Sequence, residues 1–200
     1  MKKNIQYLVW TLIALCVAVG FNSCSDDSSG NNAYGNLKAT FDKMKGSYKG
    51  QMAMPDNGRQ EVTFSIDQQA NVVLASFPLN NVLSKIYPND YQRVTPSGDA
   101  FSYSCPIDSV GIPADGQLQF VTKEDFSSNR VDFSYTLKKP SGEQEAHSGY
   151  MLVKTRGLYN SLMNSLTINF VVTDLFVDTQ DLTSSLCPID NYIDIASKQQ

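Results

Sequence analysis

The chain holds a single histidine, His147, in the stretch EAHSGY. Any Ser-His-Asp or Cys-His arrangement would have to be built on it, because imidazole is the side chain suited to moving a proton near neutral pH. Glu145 and Tyr150 lie near it in sequence. A lone histidine in an alternating stretch more often packs than reacts. Paired carboxylates are the other enzymatic chemistry open to this sequence, since glycoside hydrolysis needs two facing acids. Glu124 with Asp125, and Glu143 with Glu145, flank expected turns, where acids are usually solvated. Asp178 and Asp181 lack the alternating ligands and the glycine of a calcium loop. No His/Cys cluster has zinc spacing, and no glycine-rich phosphate loop or dinucleotide fingerprint occurs. The sequence therefore predicts no catalytic residue, no metal site and no cofactor.

The clearest chemistry lies at the other end of the chain. Lys2 and Lys3 precede LVWTLIALCVAVGF, residues 8–21, which carries no charge. A transmembrane helix needs about 20 apolar residues, so this run is short for a span. A basic start, a short apolar core and small residues at its exit describe a secretory signal. The stretch Phe21-Asn22-Ser23-Cys24 resembles a bacterial lipobox, with Phe21 where Leu is common. Cys16 is the rival, but the bulky Leu15 precedes it. The resemblance implies cleavage before Cys24 and acylation of that cysteine. Each buried CH₂ contributes about 0.8 kcal/mol, so two or more acyl chains hold a protein where one does not. Ser25-Asp26-Asp27 resembles the export tag of Bacteroidetes lipoproteins, which implies display on the cell surface. The alternative is an acidic linker on an outer-membrane lipoprotein that faces the periplasm.

Removing residues 1–23 takes away two lysines and no acid. The 16 basic and 20 acidic residues of the chain then become 14 and 20, a formal charge of −6. That balance argues against nucleic acid, which needs clustered positive charge. It leaves the acyl chains on Cys24, not surface charge, as the membrane contact. Residues 24–35 are polar and Gly-containing and read as an acylated, flexible tether. Residues 36–200 are long enough for one domain with a real core.

With residues 1–23 removed and Cys24 acylated, Cys105 and Cys187 are the two cysteines left. An even pair in an exported protein suggests a disulfide. Closing that loop of about 80 residues would contribute roughly 4.5 kcal/mol in the chain-entropy model. The alternative is two buried free thiols.

The elements that must position these residues follow from periodicity. Leu37, Phe41 and Met44 fall on one stripe of a short helix over 36–46. Strands are expected at 47–54, 61–67 and 72–77, joined by short turns as a meander. NNVLSKIY (80–87) reads as a helix capped by Asn80 or Asn81 and ended by Pro88. Further strands are expected at 100–107, 117–123, 130–139, 145–155 and 166–177, with a helical turn at 158–165. The tail reads as a short strand or an irregular cover. The prediction is a mainly β domain: about eight antiparallel strands, as a barrel or sandwich, with two or three short helices.

Lys45-Gly46-Ser47-Tyr48-Lys49-Gly50-Gln51 resembles the opening of the calycin-like β-barrel lipoproteins of Bacteroidetes, with Gly46, Tyr48 and Gly50 in the matching order. The resemblance implies that Tyr48 plugs a barrel end and that Gly50 lets the strand bend. The helix at 80–87 departs from a plain up-and-down barrel. The chain is also similar to uncharacterised Bacteroidales lipoprotein families.

These readings lead to a non-catalytic, envelope-anchored binding or accessory lipoprotein that holds a small apolar or glycan ligand, or a protein partner. Two alternatives stand beside it. One is an inhibitor or structural envelope component acting through protein–protein contact, which would have a solid interior and an exposed apolar patch. The other is a carboxylate-dependent hydrolase using Glu124 or Glu145. Cys24→Ser is expected to move the protein from the membrane fraction to the soluble fraction and to abolish the acyl mass on the N-terminal peptide. Unchanged membrane retention in that variant would reject Cys24 as the anchor.

Overall fold

Alternation is what builds the wall. In the computed structural model, which describes residues 30–55, 57–97 and 101–199, Tyr48, Gly50 and Met52 of strand β1 (Gly46–Ala53) point inward. Val62, Phe64 and Ile66 do the same on β2 (Arg59–Ile66), as do Leu118, Phe120 and Thr122 on β6 (Gln117–Thr122). The other strands are β3 (Asn71–Leu74), β4 (Val94–Pro96), β5 (Tyr103–Gly111), β7 (Arg130–Lys138), β8 (Gln144–Asn160), β9 (Ser165–Val177), β10 (Gln180–Asp181) and β11 (Ile189–Lys198). Helices are α1 (Gly30–Met44), α2 (Asn80–Ile86), α3 (Phe126–Asn129) and α4 (Thr183–Leu186), with a 3₁₀ turn at Tyr91–Arg93. Residues Gly35–Gln200 form one compact unit.

Eight strands close into an antiparallel barrel in the order β1-β2-β3-β5-β6-β8-β9-β11 and back to β1. Every neighbour in the ring is also the next ring strand in the chain. This is the mainly β fold with the up-and-down order expected of a calycin-like barrel. Closure leaves no free edge around the ring. Two wall positions are split. β6 and β7 both lie along one edge of β8, β6 against residues 156–160 and β7 against 144–152. Residues 123–129, including α3, leave the wall between them. β5 and β4 share the next position, paired to β6 and β7 respectively. The helix after β3 is therefore an excursion from an intact ring order, not a change of topology.

The interior is filled by rings. Phe64, Phe77 and Tyr103 each stand nearly perpendicular to Phe170 at centroid distances of 5.9, 6.1 and 6.1 Å. Tyr48 stacks on Phe64 at 5.5 Å. All five rings are at most 2% exposed. An eight-strand barrel is just wide enough for its own side chains, and here aromatics take that space. One polar knot sits among them. The Tyr103 hydroxyl lies 2.8 Å from Thr155 Oγ1, and Thr155 N donates to Thr122 Oγ1 at 2.9 Å. Burial pushes the Tyr103 hydroxyl above its ordinary pKa, so it stays neutral.

Helices cover the two ends. At one end Met44 is fully buried, and Leu37 and Phe41 pack on the core. The last carbonyls of a helix lack intrahelical donors. Barrel side chains supply them here: Tyr48 Oη donates to Met44 O at 2.5 Å, and Lys198 Nζ to Lys43 O at 2.6 Å. At the other end α2 buries Val82 and Leu83.

Several expected elements are revised. α1 begins at Gly30, inside the segment read as a tether. α2 is preceded by Leu79, which makes no side-chain cap bond. Instead Asn80 Nδ2 donates to Gln60 Oε1 and Asn81 Nδ2 to Ala53 O, tying α2 to the barrel. Residues 158–165 are not a helical turn: β8 runs to Asn160 and turns directly into β9. The tail forms the ten-residue β11, which closes the ring between β1 and β9.

Cys105 and Cys187 are both free, which corrects the disulfide expectation. β5 and the start of β11 lie four positions apart on an eight-strand ring, on opposite sides of the barrel. A bridge needs Cα atoms within about 7 Å. Cys105 Sγ instead donates to Asn129 Oδ1 at 2.9 Å.

Gly50 sits inward where β1 and β11 change register. A Cβ there would lie 2.4 Å from Ile193 Cγ2 and 3.1 Å from the Ala196 backbone. Gly50→Ala is expected to destabilise the fold by about 1–3 kcal/mol, the usual range for overpacking. The midpoint of a urea transition measures it; an unchanged midpoint would show that the contact yields without cost.

Candidate functional site

Strand register delivers His147 to a useful place. It lies opposite Tyr135 across the β7–β8 pair, and residues opposite each other share a face. Tyr135 is buried on the inner face, so His147 turns inward too, at the end of the barrel near α2. The imidazole stacks on Tyr135 with centroids 5.1 Å apart. Tyr87, just beyond α2, leans on it at 6.4 Å, and the Tyr87 and Tyr135 hydroxyls lie 2.9 Å apart. The histidine side chain is 15% exposed.

The third partner is Asp178, at the end of β9. Its backbone φ of 52° puts it in the left-handed region, which Asp tolerates better than most residues. Asp178 N donates to Ser148 O at 2.7 Å, and Ser148 N donates back to Asp178 Oδ1 at 3.1 Å. The clamped carboxylate then accepts from His147 Nδ1 at 2.9 Å. The hydrogen bond from His147, followed by that from Ser148 N, holds the Asp178 carboxyl below the usual range. An ionised carboxylate can only accept, so the hydrogen sits on Nδ1. Nε2 is buried and has no hydrogen-bond partner among the described residues. Glu145 Oε2 stands 3.8 Å from it and is held by Lys139 Nζ at 3.2 Å.

The imidazole is oriented through Nδ1, while its unpaired Nε2 is covered by protein, so a ligand or a substrate proton would reach it only if the side chains around it moved. A nucleophilic mechanism would need a hydroxyl or thiol in hydrogen-bond reach of Nε2. The described residues place none there. Burial, then the Tyr87 hydroxyl, keeps the Tyr135 phenol neutral. The other sequence candidates do not join this cluster. Tyr150 points to the opposite face, where it stacks on Phe176 at 4.7 Å beneath Arg130. Glu124 accepts from Lys154 Nζ. Asp125 caps α3, and its hydrogen bonds from Ser127 hold its carboxyl below the usual range, which suits a cap and not a general acid. Glu143 faces Lys139 at 3.9 Å. Among the described residues no group of three His, Cys, Asp or Glu side chains could hold a metal ion.

Of the residues carried by resemblance, Tyr48 is fully buried in the barrel beside α1, and Gly46 has a φ of 140° against the Lys198 side chain. Cys24, Ser25, Asp26 and Asp27 lie outside the described residues. Sequence reading missed Tyr87, Tyr135 and Asp178 as partners of His147. The 135–147 pairing was within reach, because PSGE marks the turn between two clear strands. Asp178, 31 residues after His147, gave no such signal.

Outside the barrel, an open groove of about 920 Å³ runs between α2 and the start of β11, with Met54, Lys85, Asn89, Gln92 and Asp190 on its walls. A smaller one of about 400 Å³ lies by Gln60, Phe77 and Pro96. No protein family, curated protein or solved structure matches this chain.

The Asp178–His147 pair has a testable pH signature. Asp178 binds its proton less readily in the fold than in the unfolded chain. Its contribution is therefore fully present above the ordinary carboxylate pKa of about 3.9 and is lost as pH falls through the lowered folded value. The Asp178 side chain is 48% exposed. Solvent screening limits the effect to about 1 kcal/mol. Asp178→Asn keeps the left-handed backbone and is expected to flatten the stability curve below about pH 4. Superimposable acid limbs for the two proteins would reject the pair.

Proposed function

We propose that this chain is an envelope-anchored, non-catalytic binding lipoprotein that meets its ligand or partner on the outside of the barrel. The observation that carries the reading is the filled centre: five aromatic rings, each at most 2% exposed, occupy the space where a ligand-carrying barrel keeps its cavity. An internal carrier of a small apolar molecule is thereby disfavoured. The anchor rests on the Lys2-Lys3 start, the uncharged run 8–21 and Cys24. The concave surface beside α2 supports external docking. Its amide and ammonium groups on Asn89, Gln92 and Lys85 suit hydroxyl-rich or carbonyl-rich partners.

The second reading, an inhibitor or structural component acting through protein contact, is the one for which a solid interior and an exposed apolar patch were expected, and the filled barrel with its exposed Leu162 and Met163 favours it. What docks in the α2 groove separates the two. Native mass spectrometry of the full acylated protein, after incubation with envelope extract, reads the difference. An adduct of a few hundred daltons supports a glycan or other small ligand, and a protein-sized adduct supports the second reading. Lys85→Glu is expected to lower occupancy about tenfold, equal to about 1.4 kcal/mol. An adduct insensitive to that change places the site elsewhere, and no adduct at all overturns the binding role.

A further inference from the structure

The turn between β8 and β9 carries the two most exposed large apolar side chains among the described residues. Leu162 is 89% exposed and Met163 is 65% exposed. Turn tips ordinarily carry Gly, Pro, Asn, Asp or Ser, so an apolar pair there asks for an explanation. The pair is also firmly presented. Asn160 Oδ1 accepts from Leu162 N at 3.0 Å and from Met163 N at 3.1 Å. Ser161 N and Oγ both donate to Gly116 O at 2.8 Å, which ties this turn to the one between β5 and β6. That neighbouring turn adds Ile112, 46% exposed.

The chain enters the barrel at this same end. Tyr159 Oη donates to Asn164 Oδ1 at 2.9 Å and reaches Lys43 O at 3.3 Å. Lys198 N donates to Asn164 O at 3.2 Å, while its Nζ holds Lys43 O. The α1 residues 35–44 cover about 15 Å at a rise of 1.5 Å each. Ten residues separate Cys24 from Gly35, and the eleven Cα steps between them reach at most about 40 Å in any conformation. β8 has 17 residues. At about 3.3 Å each and a tilt near 40°, it alone spans about 43 Å along the barrel axis. An anchor at Cys24 therefore favours the end that bears Leu162 over the end that bears His147.

We propose that Leu162 and Met163, with Ile112 beside them, dip into the interfacial layer of the membrane that holds the acylated cysteine. This orients the barrel with α2, its groove and His147 facing away from the lipid. The proposal rests on the reading of Cys24 as the anchor.

Trp10, the one tryptophan of the chain, lies in the segment expected to be removed. Leu162→Trp is then a single reporter in the acylated protein. Ser141→Trp, in the exposed turn between β7 and β8, reports on the opposite barrel end. Both proteins would be reconstituted through their own acyl chains into phosphatidylcholine–phosphatidylethanolamine vesicles carrying brominated chains. The expected result is a blue-shifted emission that loses most of its intensity for Leu162→Trp, with Ser141→Trp unaffected. Equal quenching of both, or of neither, overturns the proposal. A blue shift at position 162 without quenching assigns the tip to a second copy or another protein, and overturns it equally. Failure of either protein to float with the vesicles removes the anchor itself, and that outcome is distinct from flotation without quenching.

Discussion

Three aromatic rings stand nearly perpendicular to Phe170, and the barrel is built around that meeting. Phe64 comes from β2, Phe77 from the segment after β3, Tyr103 from β5 and Phe170 from β9. The first three come from adjacent wall strands and Phe170 from across the ring, so they touch only because the sheet has curled closed. Removing Phe170 would leave a void in a close-packed interior, where Phe-to-Ala changes typically cost about 3–5 kcal/mol. The same convergence consumes the volume that a carrier barrel would leave open. The concave surfaces that remain lie outside the ring, beside α2 and by Gln60.

The split wall strands follow from the need to cover an end. A ring of eight strands has open mouths, and each mouth exposes apolar side chains and the last carbonyls of its strands. β3 could have turned straight into β5. Instead the chain leaves the wall to lay Val82 and Leu83 of α2 over the mouth, and returns as β4. β7 then gives β4 something to pair with. The detour between β6 and β7 carries Asn129, which receives the thiol hydrogen of buried Cys105. That contact gives Cys105 a partner within a barrel that places Cys187 on the opposite side.

Much of this was legible in the sequence. The alternation of Val131, Phe133 and Tyr135 named the inner face of β7, and the Gly-Tyr-Gly opening pointed to a barrel. Strand lengths were not legible, for a reason that can be traced to glycine. The expected strand at 145–155 runs across Gly149 but stops short of Gly157, and glycine in a strand reads as a break. Both are there because of close approach: a Cβ at 157 would lie 2.3 Å from the Phe120 ring, and one at 149 would lie 2.2 Å from Phe176 O. β11 was hidden differently. Its inward position 191 is Asn, whose Nδ2 donates to Phe170 O, and the register slips between Ile193 and Ala196. A buried amide and a bulge together erase a period of two. The partners of His147 were hidden by distance along the chain, since only closure of β8 on β9 brings Asp178 beside it.

The two ends of the barrel differ in how completely their polar groups are satisfied. At the α1 end Tyr48, Tyr159 and Lys198 each reach back to a carbonyl of the helix. At the α2 end His147 is oriented with equal care by Asp178 and Tyr135, yet its second nitrogen faces a carboxylate at 3.8 Å without a bond. A buried donor or acceptor left unpaired costs about 1–3 kcal/mol. The fold bears that cost at one rim and takes up the corresponding groups at the other. The asymmetry follows from register: β7 and β8 set His147 inward beside Tyr135, and pairing of β8 with β9 brings Asp178 to Nδ1, but among the described residues nothing donates to Nε2.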